Sequence, residues 1–165
     1  MSIAMPSRNR DLRLLLAGGF TIGLLDLALA CTFWGLRGVA PVRIAQSIAA
    51  GLLGDRAFTR GATSAVLGLV LHFAIATAFV FAYRLALARH PGLGDHPVRN
   101  GLAYGAVLFL VMNYVVLPLS AAGPPAFQYR DWLLASIMVH LAIGVLCVFF
   151  ARAAFSARRP APSVR

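Results

Sequence analysis

Long apolar stretches alternate with short polar connections along the chain. Each stretch reaches the roughly 20 residues that a helix needs to cross the apolar core of a bilayer. Proline marks the breaks, with Pro41 after the first stretch, Pro91 after the second and Pro124 after the third. The pattern therefore predicts an all-α integral membrane protein, a four-helix transmembrane bundle. The predicted spans cover about residues 13–36, 61–86, 100–120 and 131–154.

Residues 41–57, between the first two spans, have a helical pattern of their own. Pro41 suits the start of a helix, because its fixed φ fits the first helical turn. An amphipathic helix is therefore predicted at the outer interface, either resting on lipid or forming a lid over a cavity. Its apolar face is predicted to carry Val42, Ala45, Ile48, Ala49 and Leu52.

Composition agrees with a membrane protein of one domain. Hydrophobic residues make up 60% of the 165 and charged residues 12%, whereas soluble chains are about 45–50% apolar and about 25% charged. We expect residues 1–158 to form a single transmembrane domain and residues 159–165 a basic flexible tail. All basic residues are Arg and all acidic residues are Asp, a bias that favours a GC-rich bacterial genome.

Charge placement predicts the orientation of the chain. The 15 arginines are scattered through loops and chain ends, a distribution that favours anionic lipids at the cytoplasmic side over nucleic acid as partner. With the N-terminus inside, ten lie on the cytoplasmic side and five outside, in the sense of the positive-inside rule. Trp34, Tyr129 and Trp132 then fall at the outer interface. We expect a bacterial inner-membrane protein with both termini in the cytoplasm.

One strongly polar side chain lies near the middle of each apolar stretch. A polar group facing lipid costs several kcal/mol, so such residues normally face the interior of a bundle or a cavity. Counting roughly 1.5 Å per residue from the flanking charges places all four between the midplane and the outer third of the bilayer core. The sequence thus predicts one polar layer. Its members are Asp26, His72, Asn113 and His140.

Three interpretations of the polar layer stay open. In the first, the side chains are structural, bonding to one another and fixing helix register. In the second, they bind or relay a proton or a metal cation. In the third, His72 and His140 ligate a haem. We favour the proton or cation reading, with a structural or partner-binding subunit as the alternative. No catalytic constellation is present in the sequence, so no enzyme and no cofactor are predicted, although a lipid-directed enzyme stays an alternative. The metal, if any, is left unassigned.

Two GxxxG motifs indicate close helix packing. Gly19 and Gly23 form one in the first span, and Gly101 and Gly105 form another in the third. Glycine lets two helix backbones approach closely within a bilayer. The motifs are also compatible with association of several copies of the chain in a homo-oligomer.

From His72 onward, the chain resembles the YagU-like family of bacterial inner-membrane proteins. The matching features are His72 with Tyr83, the segment GLAYGAVLFLVMN with Pro118, GPPAF at 123–127, Trp132, and His140 followed by Leu141. The resemblance implies membrane class and topology, with no established activity. Asn113 stands where the relative has a third histidine, and Ser136 where it has a carboxylate. These two replacements weaken a metal assignment.

Overall fold

The computed structural model describes residues 7–124 and 129–156, with side chains for 9–124 and 129–154. Four of its helices are long and apolar enough to cross a membrane, and the described residues contain no strand. The prediction of an all-α four-helix membrane bundle is therefore confirmed, and the chain is a multi-pass membrane protein. The predicted tail at 159–165 and residues 125–127 of GPPAF lie outside the described residues. The helices are α1 (Ser7–Gly35), α2 (Pro41–Leu53), α3 (Gly61–Arg89), α4 (Pro97–Leu119) and α5 (Arg130–Ser156).

The long helices extend beyond the apolar segments that hydropathy predicts. α1 begins at Ser7 rather than near residue 13, and α4 begins at Pro97 rather than near residue 100. Hydropathy marks only the part of a helix that matches the bilayer core, whereas the helix itself continues into the polar flanks. Proline is also favourable in the first turn, where its missing N–H costs no hydrogen bond.

Consecutive long helices run in opposite directions, so both described chain ends lie on one side of the bundle. Gly18 of α1 lies beside Phe150 of α5, and Arg37 at the other end of α1 pairs with Asp131 at the start of α5. We call the side that contains Ser7 and Ser156 the terminal face. The opposite side, which contains α2, is the α2 face.

Glycines bring the backbones of α4 and α5 into direct contact. A Cβ on Gly101 would collide with the backbone of Val145, and one on Gly105 with the backbone of His140. In the same interface, Gly144 packs against the backbones of Gly101 and Gly105. The second GxxxG motif thus lies within one chain, between α4 and α5.

The first GxxxG motif packs α1 against α3. Gly19 lies against the backbone and hydroxyl of Thr77, and Gly23 lies against Phe73 and Ala76. Both motifs are therefore used inside the monomer, at two helix pairs, α1–α3 and α4–α5. Neither glycine pair is left on the lipid-facing surface.

The helix predicted between the first two spans is present as α2, and it packs against the side of α3. Gly68 of α3 lies against the Ala45 carbonyl, a contact that only a residue without a side chain permits. Two hydrogen bonds fix the start of α3, from Gln46 Nε2 to the Gly61 carbonyl at 3.0 Å and from Ser64 Oγ to the Ala57 carbonyl at 2.6 Å. A short 3₁₀ segment, Gly54–Thr59, makes the connection.

The residues predicted to form one apolar face of α2 are divided between the bundle and the lipid side. Val42 and Leu52 are 46% and 63% exposed, whereas Ala45 and Ala49 lie against Gly68 of α3. Small side chains at this contact let the two backbones approach closely. The residues that α2 buries are Ile44, Ala45, Gln46, Ala49 and Ala50.

We expect Gly144→Leu to destabilise the bundle by about 1–3 kcal/mol or more, because the new side chain overlaps the backbones of Gly101 and Gly105. The matched control is Gly35→Leu, since no described atom lies within 4 Å of a Cβ at Gly35. Thermal unfolding in detergent micelles should show a lower Tm for Gly144→Leu alone. Equal Tm values for both variants would contradict the packing described above.

Candidate functional site

A cavity of about 750 Å³ lies between the helices, toward the α2 face. Its wall includes all four side chains of the predicted polar layer, one from each long helix. Clefts of roughly 300–1,000 Å³ are typical of small-molecule sites. The four residues are Asp26, His72, Asn113 and His140.

Asp26 and His72 face each other across the α1–α3 interface. Asp26 Oδ2 lies 3.9 Å from His72 Nε2, within ion-pair distance but too far for a hydrogen bond. The same ring nitrogen is 2.8 Å from the Gly23 carbonyl, to which its N–H donates. The hydrogen bond to the Gly23 carbonyl therefore holds the His72 imidazole beside the Asp26 carboxylate.

His140 approaches the same carboxylate from α5. Its Nδ1 lies 2.7 Å from the Ser136 carbonyl one turn earlier, so Nδ1 carries a proton and Nε2 is the nitrogen free to accept or bind. Asp26 lies within electrostatic range of both His140 and His72. Three titratable groups from three helices thus form one electrostatic cluster on the cavity wall.

Asn113 lies in a π-helical turn of α4, Met112–Val116. The Leu117 N–H bonds to the Met112 carbonyl, five residues back. Pro118 explains the wide turn, because its ring would collide with the Tyr114 carbonyl in a regular α-helix. Such turns often occur at functional sites. Here the turn presents Asn113 to the cavity, with its Nδ2 donating to the Phe109 carbonyl at 2.9 Å.

Asn113 lies nearer the α2 face than the other three side chains. His140 packs at the level of Gly105, so the Cα of Asn113 is eight residues, or roughly 12 Å, farther along α4. Side chains tilt toward the N-terminus of their helix, so Asn113 and His140 lean toward each other from antiparallel helices. The ring of Phe109 lies between these levels, with its centroid 5.6 Å from that of His140. Residue counting from the flanking charges did not resolve this offset.

Aromatic rings form the mouth of the cavity. Trp34 lies 5.3 Å from Trp132 and 5.5 Å from Tyr129, measured between ring centroids, and all three line the cavity. Beside them, Arg37 pairs with Asp131 and lies over the Phe33 ring, 3.7 Å from its centroid. These contacts tie the ends of α1 and α5 together at the α2 face. The sequence placed the three rings near one interface but carried no signal that they meet.

The place of α2 beside the cavity agrees with one of the two alternatives left open for it, whereas sequence reasoning missed the serines of the wall. Ser47 and Gly51 of α2, Ser120 after α4 and Ser136 of α5 all line the cavity. The available signal was the spacing of Ser47, Gly51 and Gly54, which puts small residues along one side of α2, since a helix that packs closely against others needs small residues at the contact. α2 is thus part of the cavity wall.

The cavity is closed toward the terminal face by a packed core. Val80, Leu87, Cys147, Val148 and Ala151 are at most 1% exposed. Two tyrosines add hydrogen bonds there: Tyr104 Oη donates to the Phe79 carbonyl at 2.8 Å, and Tyr83 Oη donates to the Leu93 carbonyl at 2.9 Å. We therefore expect water and polar solutes to reach the cavity from the α2 side.

The chemistry of the cluster is proton exchange and binding of charged or hydrogen-bonding groups. In the part of the chain that the structure describes, no three His, Cys, Asp or Glu side chains are grouped closely enough to hold a metal ion. An imidazole accepts and releases protons near neutral pH, and the Asp26 carboxylate is a suitable partner.

The chain matches no protein-family model, no curated protein and no solved structure.

Water-soluble thiol reagents should reach the site from the α2 side. In a chain carrying Cys31→Ser and Cys147→Ser, we expect rapid modification of His140→Cys, which lines the cavity, and none of Ser64→Cys, which is 1% exposed and lies outside it. The measurement is the mass shift after treatment with a small cationic methanethiosulfonate. An unreactive His140→Cys would show that water does not reach the cluster.

Proposed function

We propose that this protein is a small inner-membrane protein that binds and exchanges a proton at the cluster formed by Asp26, His72 and His140. The observation that carries the proposal is that these three titratable groups line one cavity of about 750 Å³, with Asp26 Oδ2 3.9 Å from His72 Nε2. Intramembrane ionisable side chains of this kind are expensive to bury and are typical of proton and ion pathways.

The hydrogen bonds of the two histidines support proton exchange. Each imidazole gives one N–H to a backbone carbonyl, Gly23 for His72 and Ser136 for His140. Each ring is thereby held in place while its second nitrogen remains available for a proton. Asp26 offers a negative partner to both rings.

The orientation follows from the arginine distribution. With both termini in the cytoplasm, the cavity opens outward and the packed core closes it on the cytoplasmic side. Transfer of a proton across the membrane then requires that this core open in turn. We therefore expect slow, carrier-like flux rather than the flux of an open channel.

A structural or partner-binding subunit is the second candidate. The observation in its favour is that the Asn113 amide and both imidazoles bond to backbone carbonyls, as side chains that only fix helix positions would do. In that case the cluster contributes stability and no flux. Neither candidate is an enzyme.

Purified protein in liposomes should show proton flux that falls at least about tenfold in His72→Gln and His140→Ala, because proton transfer by a positioned side chain contributes large rate factors. Glutamine can still donate to the Gly23 carbonyl but does not titrate, so His72→Gln separates proton exchange from a structural role. The control is His90→Ala, at the end of α3 and outside the cavity.

Measurement uses a pH-sensitive dye inside the vesicles, together with the Tm of each variant. Equal flux in wild type and both cavity variants, with a lower Tm in the variants, would favour the structural subunit and contradict proton exchange.

A further inference from the structure

The Asp26 carboxylate is accessible from the cavity. Its side chain is 33% exposed, and the nearest nitrogen of His72 is 3.9 Å away. The arginine on the same wall, Arg43, is engaged elsewhere: it lies over the Phe58 ring, 4.4 Å from the centroid, and donates to the Phe58 carbonyl. The inner end of the cavity therefore offers a negative charge to a ligand.

The cavity walls between Asp26 and the aromatic mouth suit the apolar or aromatic part of a ligand. Trp34 lies eight residues beyond Asp26 on α1, roughly 12 Å along the helix. Ile44 and Ile48 of α2 face the same space, as does Trp132 of α5. Aromatic faces also attract cations. The length, volume and lining together match a drug-sized molecule with one charged end.

A second, apolar groove of about 370 Å³ continues from the cavity between α3 and α4. Tyr104 bonds α4 to α3 nearer the terminal face, whereas the groove lies on the α2 side of that bond. Ile48, Ile75 and Val116 line both the groove and the cavity. Because the wall is mostly apolar and includes Leu71 and Leu119, with Ser120 as its one polar side chain among the described residues, the groove suits entry from lipid.

We infer that the cavity binds an amphipathic organic cation that enters from the bilayer through this groove. The charged group of the ligand lies at Asp26, and its apolar body lies between α2 and the aromatic mouth. The inference rests on the proposed function, because the bound cation displaces a proton from the cluster of Asp26, His72 and His140. Charge balances in this exchange: one cation enters and one proton leaves to water.

The test uses tetraphenylphosphonium, with tetraphenylborate as an anion of matched size and shape. Equilibrium dialysis of the full-length protein in lipid nanodiscs measures affinity, and a pH indicator measures proton release. We expect tetraphenylphosphonium to bind with release of about one proton, and Asp26→Asn to weaken binding about tenfold or more. Asp55→Asn, the same charge change outside the cavity, should leave affinity unchanged.

Four results would overturn the inference: no binding of tetraphenylphosphonium, equal affinity in Asp26→Asn and wild type, equal binding of tetraphenylborate, or binding without proton release. If one of the first three results is found while proton flux still depends on His72 and His140, binding of an organic cation is ruled out and the proposed function stands. Binding without proton release, combined with no histidine-dependent flux, removes the proposed function as well.

The route is tested by the association rate. Leu71→Trp fills the groove and should slow binding several-fold, whereas Val70→Trp, at a lipid-facing position that is 61% exposed and outside the groove, should not. Equal rates for the two variants would overturn entry through the groove.

Discussion

Backbone contact at glycine decides where the cavity lies. Within a bilayer, apolar side chains gain little by leaving lipid, so close packing is a main source of helix association. Gly101, Gly105 and Gly144 provide it between α4 and α5, and Gly19 provides it between α1 and α3. Each pair is held tightly, and α4 therefore stays with α5 instead of closing against α3. The cavity occupies the space that remains between the pairs, on the side where α2 covers it.

The polar side chains of the cavity combine a structural and a chemical task. His72, His140 and Asn113 each donate to a backbone carbonyl, which satisfies one polar group and fixes the side chain. Each keeps a second polar atom that is not used in that bond. No hydrogen bond of this kind to the Asp26 carboxylate is found among the described residues, and its Oδ2 lies 3.9 Å from His72 Nε2 and within electrostatic range of His140. Removing a histidine therefore changes both helix packing and the surroundings of Asp26, which is why a non-titrating donor such as glutamine is the informative substitution.

The sequence predicts the four helices and the single polar side chain of each span well, because hydropathy and span length follow from the bilayer alone. It does not predict that Asn113 lies nearer the α2 face than the others. It does not predict which helices pair, since every span contains small residues. The π-turn depends on the register between Pro118 and Asn113, and residue counting along an ideal helix cannot show it. The meeting of Trp34 with Trp132 depends on the antiparallel packing of α1 and α5. Apart from the π-turn, which arises within α4, the missed features arise from contacts between helices.

The same packing identifies the seam along which the protein can move. Within each helix pair, glycine lets backbones touch, whereas between the pairs the contact at Gly18 is with the side-chain ring of Phe150. Side-chain interfaces slide more readily than interlocked backbones, so rotation of one pair against the other is the least costly rearrangement. The bond from Tyr104 to the Phe79 carbonyl crosses this seam at the closed end. The buried side chains of Val80, Cys147 and Val148 pack across the same seam. Rotation of the pairs must therefore separate this core as well as break one hydrogen bond before the cluster at Asp26 can face the terminal side, and such a barrier agrees with slow flux.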